Sequence, residues 1–215
     1  MVASIARDGA EEARSELERC IGDGGVAIFP ADTLYGLACD PLSEPAVKRI
    51  HELKGRDEGK SSAVMFFSPL AMREILSRLG SRTRDALGAL LPGAVTVVVP
   101  NPDHRFPLAC REDPRRLGLR LIAGPLAGAR CALFQTSANR SGEPAPIRFE
   151  DIDPAILGGV DLAIDGGELG GAPSTVVDLT AFEGEGKWGV LREGAVSRDE
   201  LNERFREALG DLSTP

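Results

Sequence analysis

Hydroxyl groups and cations that could form an anion-binding pocket cluster within residues 24–60. A short apolar run near the start of this stretch predicts a strand, because glycines and a proline bound it. Thr33 and Tyr35 follow that strand, at the kind of strand end where open α/β sheets bind ligands. Lys54 and Arg56 flank a glycine where a predicted helix ends. The pattern indicates a pocket with hydroxyls on one wall and phosphate-binding cations on the other. A strand, a turn and a helix with a solvated basic end would give the same spacing, so both interpretations stay open.

One further cation, Arg120, interrupts an apolar run that predicts a strand over 117–122. A buried arginine needs an anionic partner, and either a carboxylate of the chain or a substrate could serve. The two histidines, His51 and His104, do not belong to a Ser/His/Asp or Cys/His arrangement, and His51 is predicted to lie on a helix surface. A hydrolase that used Ser137 would therefore lack an evident base.

The elements that must position these residues alternate between helices and short apolar strands, which favours one α/β domain over 1–215 with a twisted mixed sheet. A capping box predicts that a terminal helix starts at Ser197. Ser68 and the proline after it predict the start of another helix, with Leu70 on its buried face. The remaining polar stretch, 101–116, predicts a long loop. Predicted helices cover 10–21, 43–54 and 82–91, and predicted strands cover 26–29, 63–67, 95–99, 117–122, 132–136, 162–164, 175–179 and 188–191.

Composition narrows the function classes. The chain has 215 residues, 42% hydrophobic and 27% charged, with a formal net charge of −8. That charge argues against a broad nucleic-acid surface, although a local basic cleft and weak RNA binding stay open. No apolar run has the length of a membrane span, the first residues do not form a secretory signal, and the four cysteines are scattered. These features predict a cytoplasmic protein that does not contact a membrane.

Five short motifs in order resemble those of the YrdC/YciO family, from about residue 24 to 197. They are PADTLYGL at 30–37, KGR at 54–56, SANRSG at 137–142, STVVD at 174–178 and LREG at 191–194. The resemblance implies an open sheet flanked by helices around a basic concave cleft. It also implies synthesis of threonylcarbamoyl-AMP and pyrophosphate from L-threonine, bicarbonate or CO2, and ATP, for the N6-threonylcarbamoyladenosine (t6A) modification of tRNA. The alternative is a paralogue of the YciO kind that binds nucleotide or RNA without efficient synthesis.

The resemblance further implies a role for each matched residue. The catalytic set is Lys54, Arg56, Ser137 and Asn139; the threonine-binding set is Thr33, Tyr35, Arg120 and Thr175; the nucleotide-binding set is Lys54, Arg56, Lys60, Ser137, Asn139, Ser174 and Arg192. Mg2+ is expected to accompany ATP, held by the phosphates, since no set of metal ligands is marked in the sequence. A tRNA threonylcarbamoyltransferase complex is the implied partner that receives the product.

The chain departs from the family pattern at two positions that bear on the amino acid. Ala31 replaces the first threonine of the P-T-D-T motif, and Met65 lies near where many synthases carry a histidine. A site that lacks a polar partner discriminates less well between related substrates. We therefore expect weaker selection of L-threonine over L-serine than in a histidine-bearing relative.

Overall fold

The computed structural model of this chain describes residues 1–55, 60–111 and 113–210. The strands are β1 (Val2–Ser4), β2 (Ala27–Pro30), β3 (Tyr35–Cys39), β4 (Ala63–Phe66), β5 (Val95–Pro100), β6 (Arg116–Leu121), β7 (Leu133–Ser137), β8 (Leu162–Asp165), β9 (Thr175–Asp178) and β10 (Gly189–Arg192). The helices are α1 (Ile5–Asp8), α2 (Ala10–Gly22), α3 (Glu44–Lys54), α4 (Arg73–Leu76), α5 (Ser81–Leu90), α6 (Pro107–Cys110), α7 (Pro154–Gly158), α8 (Phe182–Glu185) and α9 (Arg198–Leu209), with a 3-10 turn at Phe149–Asp151.

The strands form one open sheet in the order β1-β8-β2-β3-β7-β4-β6-β5-β9-β10. Four neighbouring pairs are parallel, β1 with β8, β2 with β8, β4 with β6, and β5 with β9. The other pairs are antiparallel. The predicted twisted mixed sheet flanked by helices is confirmed, and it draws on residues from both ends of the described chain.

The two faces of this sheet are covered differently. One face packs against α3, α5 and α9 in a large apolar core that includes Ile50, Leu87 and Leu201. On the other face α2 covers the strands near β1 with a smaller core that includes Leu17 and Ile21. The strands towards β9 leave a cavity on that second face. Strand β6 shows the alternation that period-2 geometry requires, because its leucines at 117, 119 and 121 enter the large core while Gly118 and Arg120 line the cavity.

Local signals explain where α3 begins and ends. The Ser43 hydroxyl accepts a hydrogen bond from the Ala46 amide at 3.4 Å, and Pro45 occupies the first turn, where its missing N–H costs nothing. Gly55 ends the helix with φ 56° and ψ 38°, the left-handed conformation that glycine adopts without a Cβ penalty. This end places Lys54 against the segment that follows β7.

Several expectations from the sequence are wrong in detail. His51 is only 2% exposed and packs edge-on against Phe134, with ring centroids 5.8 Å apart. Leu70 is 73% exposed, since α4 begins only at Arg73. The loop predicted over 101–116 contains α6. Residues 35–39, for which no strand was predicted, form β3, because hydrogen bonding to β2 and β7 outweighs the weak strand propensity of a run with a glycine and an alanine.

Candidate active site

A cavity of about 750 Å³ lies over the second face of the sheet, beyond the smaller core. It brings together segments that are far apart in the sequence. The predicted site residues that line it are Thr33, Tyr35, Arg120, Ser137, Asn139, Ser174 and Arg192. Lys54, Lys60 and Thr175 are described by the structure but do not line the cavity, and Arg56 lies outside the described residues.

A buried ion pair joins the loop after β2 to strand β6. Arg120 Nη2 donates to Asp32 Oδ1, and the two side chains are 5% and 14% exposed. Burial raises the pKa of Asp32 and lowers the pKa of Arg120, because desolvation outweighs their mutual attraction. Asp32 Oδ2 and Arg120 Nε are both buried without a partner in the described structure. The open question about Arg120 is thus resolved towards a carboxylate of the chain, while the guanidinium also lines the cavity.

Sequence reasoning named the neighbours of Asp32 and missed Asp32 itself. The signal was available, because a strand arginine needs an anion and Asp32 stands inside the same motif as Thr33. Thr33 is 5% exposed, and its carbonyl accepts a hydrogen bond from the Gly171 amide at 3.0 Å. This contact ties the loop after β2 to the glycine-rich segment that follows β8.

Tyr35 is a buried residue that lines the cavity. Its hydroxyl donates to the Gly167 carbonyl at 2.7 Å and accepts from the Gly166 amide at 3.0 Å. Burial raises the pKa of this hydroxyl to about 12, and the ring packs edge-on against Phe149. The hydroxyl therefore holds the loop after β8 in place, which fits the expected wall-shaping role.

Lys54 braces the segment after β7. Its side chain is buried, and its ammonium donates to the Ser137 carbonyl, to the Asn139 carbonyl at 2.6 Å and to Asn139 Oδ1 at 3.4 Å. The Asn139 side-chain amide in turn donates to the Glu143 carbonyl at 2.6 Å. Three of the four residues predicted to be catalytic thus meet at one place, but the Lys54 ammonium contacts backbone oxygens of the site loop.

The opposite wall is built around Ser174. Its hydroxyl shares a hydrogen bond of 2.8 Å with the Thr96 hydroxyl, and Arg192 Nη2 donates to the Ser174 carbonyl at 2.6 Å. Burial lowers the pKa of Arg192. Thr175 lies behind this wall with no exposed surface, and its hydroxyl donates to the Val196 carbonyl at 2.6 Å and accepts from the Val196 amide at 3.0 Å.

Met65 is fully buried within the smaller core, beside Arg120 in the strand register. It is not a cavity-lining residue, so the interpretation of Met65 as part of the amino-acid wall finds no contact to support it. The methionine is the neighbour of Arg120 on the adjacent parallel strand and belongs to the smaller core.

The charged lining comprises three arginines, Arg116, Arg120 and Arg192, and two carboxylates, Asp113 and Glu143. Arg116 was not singled out by the sequence, since it stands beside Arg115 in what was predicted to be a polar loop. No group of three or more His, Cys, Asp or Glu side chains within 1–55, 60–111 and 113–210 could hold a metal ion.

Comparison with known proteins identifies the family of this chain. The family model for Sua5, YciO and YrdC proteins, described as telomere recombination, matches residues 19–194. The chain belongs to the Sua5/YciO/YrdC family. A threonylcarbamoyl-AMP synthase of Xanthomonas campestris is 34% identical over 155 residues, covering 69% of this chain and 82% of that protein. A threonylcarbamoyl-AMP synthase of Mus musculus is 32% identical over 222 residues, covering 89% of this chain and 70% of that protein.

Solved structures of the family share the fold. The crystal structure of P. abyssi Sua5 complexed with L-threonine has a TM-score of 0.83 and 25% identity; it matches 100% of this chain, which spans 62% of that Sua5 chain. E. coli YciO has a TM-score of 0.75 and 24% identity, covering 89% of this chain and 93% of that one. None of the helices that the structure describes is long and apolar enough to cross a membrane.

Proposed function

We propose that this chain is an L-threonylcarbamoyladenylate synthase, a nucleotidyltransferase that forms threonylcarbamoyl-AMP and pyrophosphate from L-threonine, bicarbonate or CO2, and ATP. The observation that carries the proposal is the convergence of four separated family motifs on one cavity, through Thr33, Ser137, Ser174 and Arg192. The relatives named threonylcarbamoyl-AMP synthase support the reaction class, and the L-threonine complex of the Sua5 neighbour supports the amino acid.

The proposed chemistry needs positioning and charge rather than a protein nucleophile. The threonine amine attacks CO2 and loses a proton, which leaves a carbamate. A carbamate oxygen then attacks the α-phosphorus of ATP, and the bond to the bridging oxygen breaks as pyrophosphate leaves. Cations near the oxygens where charge accumulates lower this barrier, and a defined alignment of the two reactants supplies much of the rest.

We assign the groups of the cavity by their chemistry. Arg120, already fixed by Asp32, receives the threonine carboxylate beside the Thr33 hydroxyl. Ser137 and Asn139, which lie at the end of β7 beside Gly36, act as donors to the nucleotide phosphates and the carbamate. Arg192 completes the nucleotide side next to Ser174. In this scheme Lys54 acts by holding the loop that carries Ser137 and Asn139, while Lys60 and Arg56 add positive charge for ATP.

Mg2+ enters the proposal as the companion of ATP. When bound it would neutralise phosphate charge and help orient the polyphosphate. The single carboxylates Asp113 and Glu143 in the lining fit a partly hydrated Mg2+ that takes most of its ligands from phosphate oxygens.

The decisive experiment incubates the protein with ATP, bicarbonate and one amino acid at a time. Threonylcarbamoyl-AMP is detected by mass spectrometry, and pyrophosphate is measured in parallel. We expect product with L-threonine and a large loss in Arg192→Gln. Arg198→Gln is the matched control, because Arg198 carries the same charge but lies over Trp188 at the start of α9, away from the cavity lining.

Pyrophosphate release that ignores the added amino acid, or no release with saturating ATP and bicarbonate, would contradict the proposal and favour the YciO-like paralogue. The proposal also includes a cytoplasmic location, which suits four free cysteines. A tRNA threonylcarbamoyltransferase complex would take up the product to complete t6A, and weak direct binding of RNA remains the less favoured route given the net charge of −8.

A further inference from the structure

Arg116 is a cavity-lining cation that neither the motifs nor the family resemblance assigns. It is the first residue of β6, and Gly118 and Arg120 line the same face of that strand after it. Three residues of strand lie between the two arginines, and four steps of about 3.3 Å place their Cα atoms about 13 Å apart. Gly118 leaves the floor between them bare: a Cβ built there would already touch the Ala63 Cβ at 3.4 Å.

Strand directions place Arg116 at the same end of the sheet as the site loop after β7. Strand β4 runs parallel to β6 and antiparallel to β7. Arg116 begins β6 and Ser137 ends β7, so both residues lie at one end of the cavity, while Arg120 lies further along the floor. Because the Lys54 ammonium contacts backbone carbonyls there, Arg116 is a described cation of that end which does line the cavity.

The guanidinium of Arg116 is oriented but not saturated. Its Nη2 donates to Asp178 Oδ2 at 2.6 Å, and its Nε is buried without an acceptor in the described structure. The side chain is 38% exposed, which is enough for a ligand to reach the remaining donors. An arginine that is held by one carboxylate and still offers planar N–H groups is suited to phosphate oxygens. Asp113, the carboxylate that also lines the cavity, is itself paired with Arg115 at 3.5 Å.

We propose that Arg116 binds the terminal phosphates of ATP, and the pyrophosphate that they become, at the end of the cavity opposite the amino-acid carboxylate. The assignment rests on the proposed function, since it places the nucleotide in this cavity. It adds a residue to the site and an orientation to the substrate: the polyphosphate points towards the start of β6, and the threonine lies towards its end.

The test measures binding rather than synthesis. Arg116→Gln is compared with wild type by calorimetry, with ATP and Mg2+, inorganic pyrophosphate, AMP and L-threonine as separate ligands. We expect ATP and pyrophosphate to bind about tenfold more weakly, as the loss of one charge-assisted contact implies. AMP and L-threonine should change less than about twofold, because neither reaches this end of the cavity.

Arg115→Gln is the matched control, since it removes the same charge at the neighbouring residue. The Arg115 side chain is 81% exposed and does not line the cavity. Equal weakening of ATP by the two variants, or equal weakening of ATP and AMP by Arg116→Gln, would overturn the assignment. If Arg116→Gln does not fold, Asp178→Asn provides a second test of whether Arg116 binds phosphate. It leaves Arg116 un-neutralised and should tighten pyrophosphate binding, and an unchanged or weaker affinity would overturn the assignment.

The binding results separate this inference from the proposed function. A wild-type protein that makes threonylcarbamoyl-AMP while Arg116→Gln binds ATP normally refutes only the role of Arg116. A wild-type protein that binds ATP through Arg116 but makes no product refutes only the synthase.

Discussion

The buried pair of Asp32 and Arg120 makes a sharp prediction about stability. Asp32→Ala removes the carboxylate and leaves a guanidinium that is 5% exposed without its anion. A pair at about 4 Å and an effective dielectric constant of about 20 attracts by about 4 kcal/mol. Loss of one partner of a buried pair costs about 3–5 kcal/mol. We therefore expect Asp32→Ala to lower the free energy of unfolding by that amount.

The double variant tests the cause. Desolvation raises the pKa of Asp32 and lowers that of Arg120. Burial of the two charged groups therefore costs desolvation free energy. Replacing both members of such a pair by apolar groups is often neutral or stabilising. We expect Asp32→Ala combined with Arg120→Met to unfold at a higher urea concentration than Asp32→Ala alone. With a slope of about 2 kcal/mol per molar urea, the single variant should shift the midpoint by about 2 M.

The assay is urea unfolding of the wild type, both single variants and the double variant, followed by L-threonine binding. A shift below about 0.5 M for Asp32→Ala would show that water or a rearrangement replaces the lost carboxylate, and the reasoning would fail. A double variant less stable than both singles would fail it too. The double variant should recover stability without recovering threonine affinity, because it lacks the cation that lines the cavity.

Three further predictions concern other contacts of the site and core. Thr175→Val should lower the free energy of unfolding by about 1–3 kcal/mol, measured by urea unfolding, because both hydrogen bonds to Val196 are lost in a buried place; a change within error would contradict this. Cys39 is fully buried, and burial raises the pKa of its thiol to about 12, so this thiol should resist Ellman's reagent at pH 8 in the folded protein and react in denaturant; rapid reaction of Cys39 while folded would refute the burial. Lys54→Met should reduce stability and ATP affinity together, because it releases the carbonyls of the site loop, whereas loss of ATP binding alone, with an unchanged melting temperature, would assign the ammonium directly to phosphate.

The sequence predicted elements better than it predicted side-chain partners. Helix α2 and strand β5 lie within one residue of the predicted bounds, and α9 begins directly after the predicted cap Ser197, because apolar periodicity and capping residues mark them. Strand β3 was missed, since a run with glycine and alanine becomes a strand only through its neighbours. Strand β1 was missed for a related reason: three residues at a sheet edge carry little pattern, and pairing with β8 makes them a strand.

The site shows the same division. Four of the five motif segments contribute residues to the cavity lining, among them Thr33, Ser137 and Arg192. Spacing did not reveal that Lys54 turns to backbone carbonyls, nor that Arg116 reaches the cavity from what was predicted to be a polar loop. Those outcomes depend on which hydrogen-bond acceptors the folded chain places within reach. Long, flexible lysine and arginine side chains in similar sequence contexts can bind different acceptors.

The strand order of the sheet has a consequence for how the site forms. The cavity floor uses β3, β7, β4, β6, β5 and β9, whose residues span 35–178, and β1 joins its partner β8 across most of the chain. Contacts this distant in sequence form late, because loop closure must precede them, and they slow folding. A competent pocket therefore exists only after the whole sheet has assembled. Nucleotide binding should then protect segments far from the cavity against proteolysis, since a ligand that binds only the folded state stabilises every element that folding unites.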